Sequence, residues 1–421
     1  MSTNWAGNIS FRAERIHRPE SVGQIQQLVA GSSAVRALGT GHSFNRIADT
    51  TGDLISVGGL PNQVEIDSAG RRALVTGGTR YGELGGRLAD VGLALFNTGS
   101  LPHISVAGAC ATGTHGSGVG NPNLACAVEV MTMVTPSGDL VSVSSDSVGE
   151  DFPGSVLALG RLGIVTDLTL RVVPAFQVAQ TVIEDVPDDR VATELVEILS
   201  AAYSVSIFTT WAMGSTSQIW LKQRVAAADE VGVPDGSGGW GGRLATVEFN
   251  PVPGMPAGNA TAQLGVPGPS NERLPHFRMA FTPSSGRELQ SEYLLPLQLA
   301  GPAWAALSQI RDQIAPLLQV GEIRAVARDD MWLSPGSGRD SVAFHFTWVP
   351  DTGAVLPVVC AIERQLAPFL ARPHWGKVFT TAPATLAELY PRMGDFRRLA
   401  EKYDPTGKFG NDEVDRWLSK A

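Results

Sequence analysis

Two glycine-rich segments in the first third of the chain constrain its fold more than any other feature. The first, ALGTGHSFN at residues 37–45, follows a short apolar run and places His42 directly after a Gly-Thr-Gly turn. The second, NTGSLPHISVAGACATGTHGSGVG, spans residues 97–120. Such segments expose backbone N–H groups and let a ligand approach closely, so they can bind a pyrophosphate without basic side chains. One loop alone is typical of a tight turn, but the two together favour a bound nucleotide-type cofactor.

Neither segment is a standard phosphate-binding fingerprint. The Gly-Thr-Gly turn lacks the third glycine of the dinucleotide motif, and neither segment contains the GK[ST] of a P-loop. His42 lies in a loop that must stay open, which makes it a candidate nucleophile or proton carrier. His115 fits a turn cap as well as a cofactor contact. Because the chain has no HExxH motif and no Cys/His cluster, we expect no metal site.

Composition restricts the class of protein. The chain has 421 residues, of which 43% are hydrophobic and 17% charged, and this predicts a globular protein of two domains. A formal net charge of -9 argues against nucleic acid as a partner. Three cysteines without CxxC spacing predict no disulfide framework. The first residues lack an apolar signal region and no run is long enough to span a membrane, so we expect a cytoplasmic protein with no membrane partner.

The pattern along the chain predicts an α+β fold built from hairpins and mixed sheets rather than from a run of βαβ units. Residues 22–31 have helical spacing, residues 34–38 form a strand, and residues 63–78 and 128–143 form hairpins. Longer strands and helices alternate after Pro174. The Gly- and Pro-rich residues 229–275 fit a flexible surface loop and the wall of a site equally well.

Two strands in the C-terminal half carry candidate site residues. Glu322 and Arg324 are two positions apart and point to the same face of their strand, where an acceptor and a donor suit a ligand with several hydroxyls. A surface ion pair is the more ordinary explanation of such a pair. In AFHFTWV, His345 and Thr347 alternate with aromatic residues, so the aromatic face is predicted to be core and the other face is free for a ligand.

Several motifs resemble one known superfamily. GTGHSFN, SLPHISVAGACATGTHGSGVG and LGRLGIVT resemble the FAD-binding half of the vanillyl-alcohol-oxidase (PCMH-type) flavoproteins. PHWGK and DPTGKF resemble its sugar-alcohol and aldonolactone oxidases. Glu322-x-Arg324, HFTWV, RPHWGKVF and AAYSVSIFT are most similar to bacterial alditol oxidases, which oxidise xylitol and sorbitol. By itself, RPHWGKVF fits either a site at His374 and Lys377 or a solvated lysine beside a packed tryptophan.

The resemblance implies a particular division of the chain. Residues 1–175 would form a PCMH-type FAD-binding domain of two α/β subdomains. Residues 176–385 would form a substrate (cap) domain, a large antiparallel sheet covered by helices. Residues 386–421 would return to the FAD-binding domain, and residues 229–275 would wall the substrate pocket. A monomer is the family expectation.

The resemblance also assigns site residues. It implies FAD joined covalently through a ring nitrogen of His42 to the flavin 8α-methyl. The implied cofactor contacts are Ala37, Leu38, Gly39, Thr40, Gly41, His42, Ser43, Ser100, Ser105, Gly108, Thr112, Gly113, Thr114, His115, Ile164, His374 and Lys377. The implied substrate contacts are Ser100, Glu322, Arg324 and Thr347. Lys377, His345, Glu322 and Arg324 are the implied catalytic residues, and by chemical type His345 and Lys377 are the candidates for the base that takes the hydroxyl proton.

The implied activity is oxidation of terminal hydroxyls of alditols, such as xylitol, sorbitol and glycerol-like polyols, to aldoses. Hydride transfer to flavin N5 and reduction of dioxygen to hydrogen peroxide complete this reaction. Gly99 stands where relatives often have alanine, and a small residue there favours an oxidase over a dehydrogenase. An aldonolactone (gulono- or galactonolactone) oxidase or dehydrogenase of the same fold is the first alternative. A non-catalytic carbohydrate-binding protein, with the glycine loops as mere turns, is an alternative from another class.

Overall fold

The computed structural model of the protein describes residues 2–225 and 240–419. Its helices are α1 (Val22–Gly31), α2 (Tyr81–Ala89), α3 (Val106–Thr112), α4 (Ser145–Val148), α5 (Phe152–Val156), α6 (Asp188–Ser200), α7 (Ala300–Ser308), α8 (Arg311–Ile314), α9 (Thr352–Leu366), α10 (Pro383–Leu389), α11 (Met393–Tyr403) and α12 (Asp412–Trp417). Its strands are β1 (Arg15–His17), β2 (Val35–Leu38), β3 (Asp53–Ser56), β4 (Val64–Asp67), β5 (Arg72–Thr76), β6 (Leu93–Ala94), β7 (Val128–Val134), β8 (Leu140–Ser144), β9 (Ile164–Arg171), β10 (Val173–Pro174), β11 (Gln177–Pro187), β12 (Ser204–Thr209), β13 (Thr216–Val225), β14 (Arg243–Leu244), β15 (Gly268–Pro269), β16 (Leu289–Pro296), β17 (Leu318–Val326), β18 (Ser341–Trp348) and β19 (Arg372–Pro373).

Two small sheets organise the first part of the chain. The five-stranded sheet is antiparallel and has the order β4-β5-β9-β7-β8, which confirms both predicted hairpins. The three-stranded sheet has the order β1-β3-β2 and is parallel. The sequence predicts hairpins and mixed sheets, and of these two sheets one is antiparallel and the other is parallel. The parallel pairing arises because α1 lies between β1 and β2 and returns the chain to the same end of the sheet.

A nine-stranded antiparallel sheet organises the second part of the described chain. Its order is β14-β11-β13-β12-β17-β18-β16-β19, and β15 pairs with β11 at one edge. Alternate residues such as Ile207, Ile323, Phe344, Phe346 and Trp348 point to one face and pack in a single core with α6, α7 and α9. The predicted α+β class, with a PCMH-type FAD-binding fold and a large antiparallel sheet covered by helices, is confirmed. The domain limits at residues 175 and 385 stay a prediction.

Membrane-spanning helices, metal-binding clusters and disulfides are absent from the part of the chain that the structure describes. Among residues 2–225 and 240–419, no helix is both long and apolar enough to cross a membrane. No group of three or more His, Cys, Asp or Glu side chains in these ranges could hold a metal ion. Cys110, Cys126 and Cys360 are all free thiols.

The last helix is anchored to the first part of the chain through Asn411. Its amide Nδ2 donates to the backbone carbonyls of Arg46, Ile47 and Asp49 at 3.0, 3.2 and 2.7 Å. Its Oδ1 accepts from the N–H of Val414 and so caps α12. One side chain therefore both starts a helix and fixes the segment that follows the His42 loop.

Asn411→Ala is expected to lower the free energy of unfolding by about 2 kcal/mol, because it removes a helix cap and leaves the carbonyl of Asp49 without its donor. Thermal and denaturant unfolding measure the change. The matched control is Ser21→Ala, which removes only the cap of α1 and is expected to cost about 1 kcal/mol. Equal losses in the two variants would show that the three carbonyl contacts contribute nothing.

Candidate active site

One large cleft lies between the His42 loop and the polar face of the nine-stranded sheet. It encloses about 1700 Å³ of space free of protein atoms, part of it open to solvent. The cleft brings together the predicted site residues Ala37, Leu38, Gly39, Thr40, Gly41, His42, Ser43, Ser100, Ser105, Gly108, Thr112, Thr114, His115, Glu322, Arg324, His345, Thr347, His374 and Lys377. Residues far apart in sequence are thus assembled around one continuous space.

Two of the predicted cofactor contacts do not line this cleft. Gly113 ends α3 in a left-handed conformation with φ of 72°, and a Cβ there would meet the side chain of Leu157. Ile164 begins β9 and is buried in a core with Val134 and Phe409. Successive side chains of a strand point to opposite faces, so a short sequence motif does not place all of its residues at the cleft. Gly163 and Val165, the two neighbours of Ile164, line the cleft.

The His42 side chain is held in the wall without a well-formed hydrogen bond. Both ring nitrogens are buried and unpartnered among the described residues, apart from a weak interaction with the backbone of Thr40. The indole of Trp5 stacks on the ring with 5.0 Å between centroids and 19° between planes. Burial, followed by repulsion from His103 and Lys377, lowers the pKa of His42 to about 4. At neutral pH the imidazole is therefore uncharged and has a free lone pair.

The neighbouring part of the wall fits a group that approaches the backbone closely. Ser105 Oγ is buried and has no hydrogen-bond partner in the described chain. A Cβ on Gly39 would lie 2.4 Å from that oxygen, so no larger residue fits there without displacement. Buried polar groups are normally paired, and the unpaired atoms of His42 and Ser105 therefore fit a bound polar cofactor along this wall.

The opposite wall is a patch of sheet whose strand register aligns polar side chains. Glu292 of β16 is paired with His345 of β18, which is paired with Glu322 of β17, which is paired with Phe208 of β12. Directly paired residues point to the same face of a sheet. Arg324 lies two residues beyond Glu322 and points to this face as well.

Arg324 lies between two buried carboxylates. Its Nη2 donates to Glu292 Oε1 at 2.5 Å, its Nη1 donates to Ser100 Oγ at 3.1 Å, and its Nε lies 3.6 Å from Glu322 Oε1. Burial raises the pKa of Glu292 and of Glu322, but Arg324 and the neighbouring histidines together outweigh it and hold both pKa values below their usual range. Glu322 and Arg324 are each 5% exposed, so the surface ion pair considered from the sequence is wrong.

Gln290 joins the two candidate bases. Its Oε1 accepts from Lys377 Nζ and lies 3.2 Å from His345 Nε2. Burial lowers the pKa of Lys377 to about 8, and burial followed by repulsion from Lys377 lowers the pKa of His345 to about 3. Because Gln290 accepts from Nε2, that nitrogen carries the proton of the neutral ring. Nδ1, which is buried without a partner in the described residues, is then a free acceptor.

Two histidines of the glycine-rich and PHWGK segments also lie at the cleft. His115 Nδ1 donates to the carbonyl of Gly116 at 2.8 Å, and its Nε2 lies 3.3 Å from Glu292 Oε1. His374 Nδ1 accepts from the N–H of Gly376 at 3.1 Å. Each ring therefore makes a hydrogen bond within its own turn and also lines the cleft. For His115, a turn cap and a cofactor contact are thus compatible roles.

Sequence reasoning missed several residues of this wall. Gln290 and Glu292 lie on β16, where two polar residues among apolar ones at alternate positions were the available signal. His276 contacts Glu322 at 2.7 Å but follows an irregular loop with no periodic signal. Of the segment 229–275, Pro251 and Val252 line the cleft, and residues 229–239 lie outside the described residues.

Comparison with known proteins agrees with this geometry. Residues 13–144 match the FAD binding domain family, and residues 282–420 match the D-arabinono-1,4-lactone oxidase family. The chain is 51% identical to the alditol oxidase of a Streptomyces species over 97% of both chains. It is 28% identical to the L-gulono-1,4-lactone dehydrogenase of Mycobacterium tuberculosis, over 99% of this chain and 98% of the relative. Cholesterol oxidase from B. sterolicum has the same fold, with a TM-score of 0.78 and 14% identity over 99% of this chain and 96% of that one.

Gly39→Ala is expected to weaken uptake of FAD by about ten- to a hundredfold, because overpacking of a close contact costs about 1–3 kcal/mol. Flavin content after purification and the rate at which apoprotein takes up FAD measure the effect. Gly86→Ala in α2 is the matched control, since its added Cβ would meet nothing within 4 Å. Equal flavin uptake by the two variants would contradict a close approach of the cofactor at Gly39.

Proposed function

The chain belongs to the alditol oxidase family, and we propose that it oxidises the terminal hydroxyl of alditols such as xylitol, sorbitol and glycerol-like polyols. One observation carries the proposal. Arg324 Nε has no hydrogen-bond partner in the described chain and lies 3.6 Å from Glu322 Oε1, and both residues border the same cleft as His42. A donor and an acceptor side chain next to each other suit vicinal hydroxyls, each of which both donates and accepts.

The cofactor of the chain is FAD, which supplies a two-electron acceptor that dioxygen reoxidises to give hydrogen peroxide. Its wall would be formed by residues 37–43, by Ser105 and by Gly108. We propose that His42 joins FAD covalently through a ring nitrogen to the 8α-methyl. The support is chemical: the ring is neutral, its nitrogens are unpaired, and Trp5 fixes its plane.

In the proposed complex the polyol is oriented by groups from two walls. Glu322 accepts from one hydroxyl, Arg324 Nε donates to the next, and Ser100 and Thr347 pair with others. Glu292 accepts a hydrogen bond from Nη2 of Arg324, which restricts the guanidinium to its place at the cleft. A buried polar site of this kind also rejects ligands that lack the hydroxyls, since its own groups would then stay unpaired.

The hydroxyl proton needs an acceptor, and we propose Nδ1 of His345. That nitrogen is unpartnered in the described chain, and the low pKa of the ring keeps it unprotonated at neutral pH. Lys377 is held by Gln290 and carries a positive charge below its pKa of about 8, so it contributes charge at the cleft rather than a base. In sum the alcohol loses two electrons and two protons, and dioxygen gains both to form hydrogen peroxide.

An aldonolactone oxidase or dehydrogenase is the second candidate. The match of residues 282–420 to the D-arabinono-1,4-lactone oxidase family favours it, and so does the 28% identity to a lactone dehydrogenase. The 51% identity to an alditol oxidase favours the first candidate. Gly99 lines the cleft, and a small residue is expected at this position in an oxidase. A Cβ there would lie 3.5 Å from the side chain of Thr114, so alanine would fit as well as glycine.

Three further properties stay predictions: a monomer, a cytoplasmic location, and the absence of partners other than the polyol and dioxygen. Sedimentation of the purified protein tests the first. A colourless protein without flavin absorbance would instead favour a non-catalytic carbohydrate-binding protein. Such a result would remove both oxidase candidates together, because neither acts without its cofactor.

A peroxide assay across xylitol, sorbitol, glycerol and a γ-lactone tests the proposed function. We expect release of hydrogen peroxide with the polyols and a kcat/KM at least about tenfold lower with the lactone, because a ring ester presents fewer hydroxyls to Glu322 and Arg324. A higher kcat/KM with the lactone would select the second candidate. Absence of turnover with all three polyols would exclude the first.

His42→Ala is expected to abolish covalent attachment of flavin, because it removes the one imidazole of residues 37–43, whose two ring nitrogens are unpaired at this wall. After acid precipitation the flavin is expected in the supernatant, whereas in the wild type it stays with the protein. His103→Ala, in the same region but with its ring bonded to the carbonyl of Met279, is the control that keeps the link. Flavin retained by precipitated His42→Ala would contradict the assignment.

A further inference from the structure

A lysine that the proposed chemistry does not use is buried behind the cleft. Lys222 lies on β13 and is 1% exposed. Its Nζ donates to the carbonyl of Leu274, to the carbonyl of Pro275 at 3.2 Å and to Nδ1 of His276 at 3.0 Å. An ammonium group has three N–H donors, so all of them are used by one short segment.

Lys222 determines how the His276 ring is protonated. Burial lowers the pKa of Lys222 to about 7. In its charged form Lys222 donates to Nδ1, so that nitrogen is the acceptor and the proton of the neutral ring lies on Nε2. The ionised Glu322 carboxylate beside Nε2 selects the same tautomer when Lys222 is neutral. Nε2 is 2.7 Å from Glu322 Oε1 and therefore donates to it, with Ser206 Oγ a more distant neighbour at 3.4 Å. Burial, followed by repulsion from Lys222, lowers the pKa of His276 to about 4, so the ring stays neutral at pH 7.

The ring has little freedom to leave this position. Phe208, Trp220 and Phe277 contact it edge to face, with centroids 5.4, 5.8 and 6.4 Å away. The backbone of the segment is fixed as well, since the N–H of His276 donates to the carbonyl of Ser100 at 3.0 Å. One segment thus contacts two of the proposed substrate residues, Glu322 through a side chain and Ser100 through the backbone.

We propose that Lys222 and His276 are positioning residues that hold the Glu322 carboxylate in one orientation for a polyol hydroxyl. The chain Lys222–His276–Glu322 occupies Oε1 of a carboxylate that lines the cleft, and His276 lines the cleft beside it. The inference rests on the proposed role of Glu322 in binding the polyol. It explains how the Glu322 carboxylate is kept from rotating, so that its acceptor oxygen has a fixed position for the substrate.

The tautomer of His276 in the wild-type holoenzyme is the first test, and it does not depend on turnover. The chain has seven histidines, and ¹⁵N labelling of their rings followed by NMR gives the protonation of each nitrogen. The signal of His276 is identified by its loss in His276→Gln. We expect a neutral ring with the proton on Nε2 at pH 7. A proton on Nδ1, or on both nitrogens, would overturn the proposal.

Kinetics of Lys222→Met form the second test. We expect the KM for xylitol to rise about tenfold while kcat changes less than about threefold, because a loosened Glu322 weakens substrate and transition-state binding alike. The matched control is Lys408→Met, since Lys408 also donates to two backbone carbonyls, those of Val29 and Pro136, but does not line the cleft. An unchanged KM in Lys222→Met, or an equal rise in the control, would overturn the proposal.

Variants of His276 separate positioning from simple support of the fold. His276→Gln can still place an N–H near Glu322, whereas His276→Leu cannot, so we expect the KM to rise at least about threefold more in the leucine variant. Equal KM values would contradict the proposal, and these variants decide the matter if Lys222→Met does not fold. If the wild type oxidises no polyol, the proposed function fails, and the His276 tautomer still decides between the two protonation states.

Discussion

The register of β16, β18, β17 and β12 is the constraint on which the cleft depends. Side chains alternate between the two faces of a strand, so a slip of one residue would turn the aromatic residues toward the cleft and the charged ones toward the helices. The aromatic core under α6, α7 and α9 makes such a slip costly. That core therefore fixes, from the opposite face, where Glu292, His345 and Glu322 stand.

The charges on the polar face are better explained by binding than by stability. Taking a guanidinium and two carboxylates out of water is expensive, and well-packed apolar side chains would often serve the fold as well. Here Arg324 is shared by Glu292 and Glu322, and His276, which Lys222 contacts, donates to Glu322. The arrangement leaves the Arg324 Nε donor unpaired beside Glu322 at the cleft, where a polyol can pair with both side chains.

Local sequence patterns predicted the parts of this structure that local forces determine. The hairpins, the strand before the His42 loop and the shared face of Glu322 and Arg324 followed from alternation and turn residues. Glu292 and His276 did not, because their contacts depend on strand pairing and a loop far away in sequence. Only the resemblance to flavoproteins predicted that residues of both walls, such as His42 and Glu322, belong to one site.

That Glu322 and Arg324 hold the polyol beside the flavin is tested most directly by anaerobic reduction of the bound flavin with xylitol. Loss of flavin absorbance is followed in the wild type and in Glu322→Gln. We predict that xylitol bleaches the wild type, and that the variant needs at least about ten times more xylitol for half the maximal rate, since a charged hydrogen bond contributes about 1.5–3 kcal/mol. The same concentration dependence in both proteins, or no bleaching of the wild type, would contradict this binding mode.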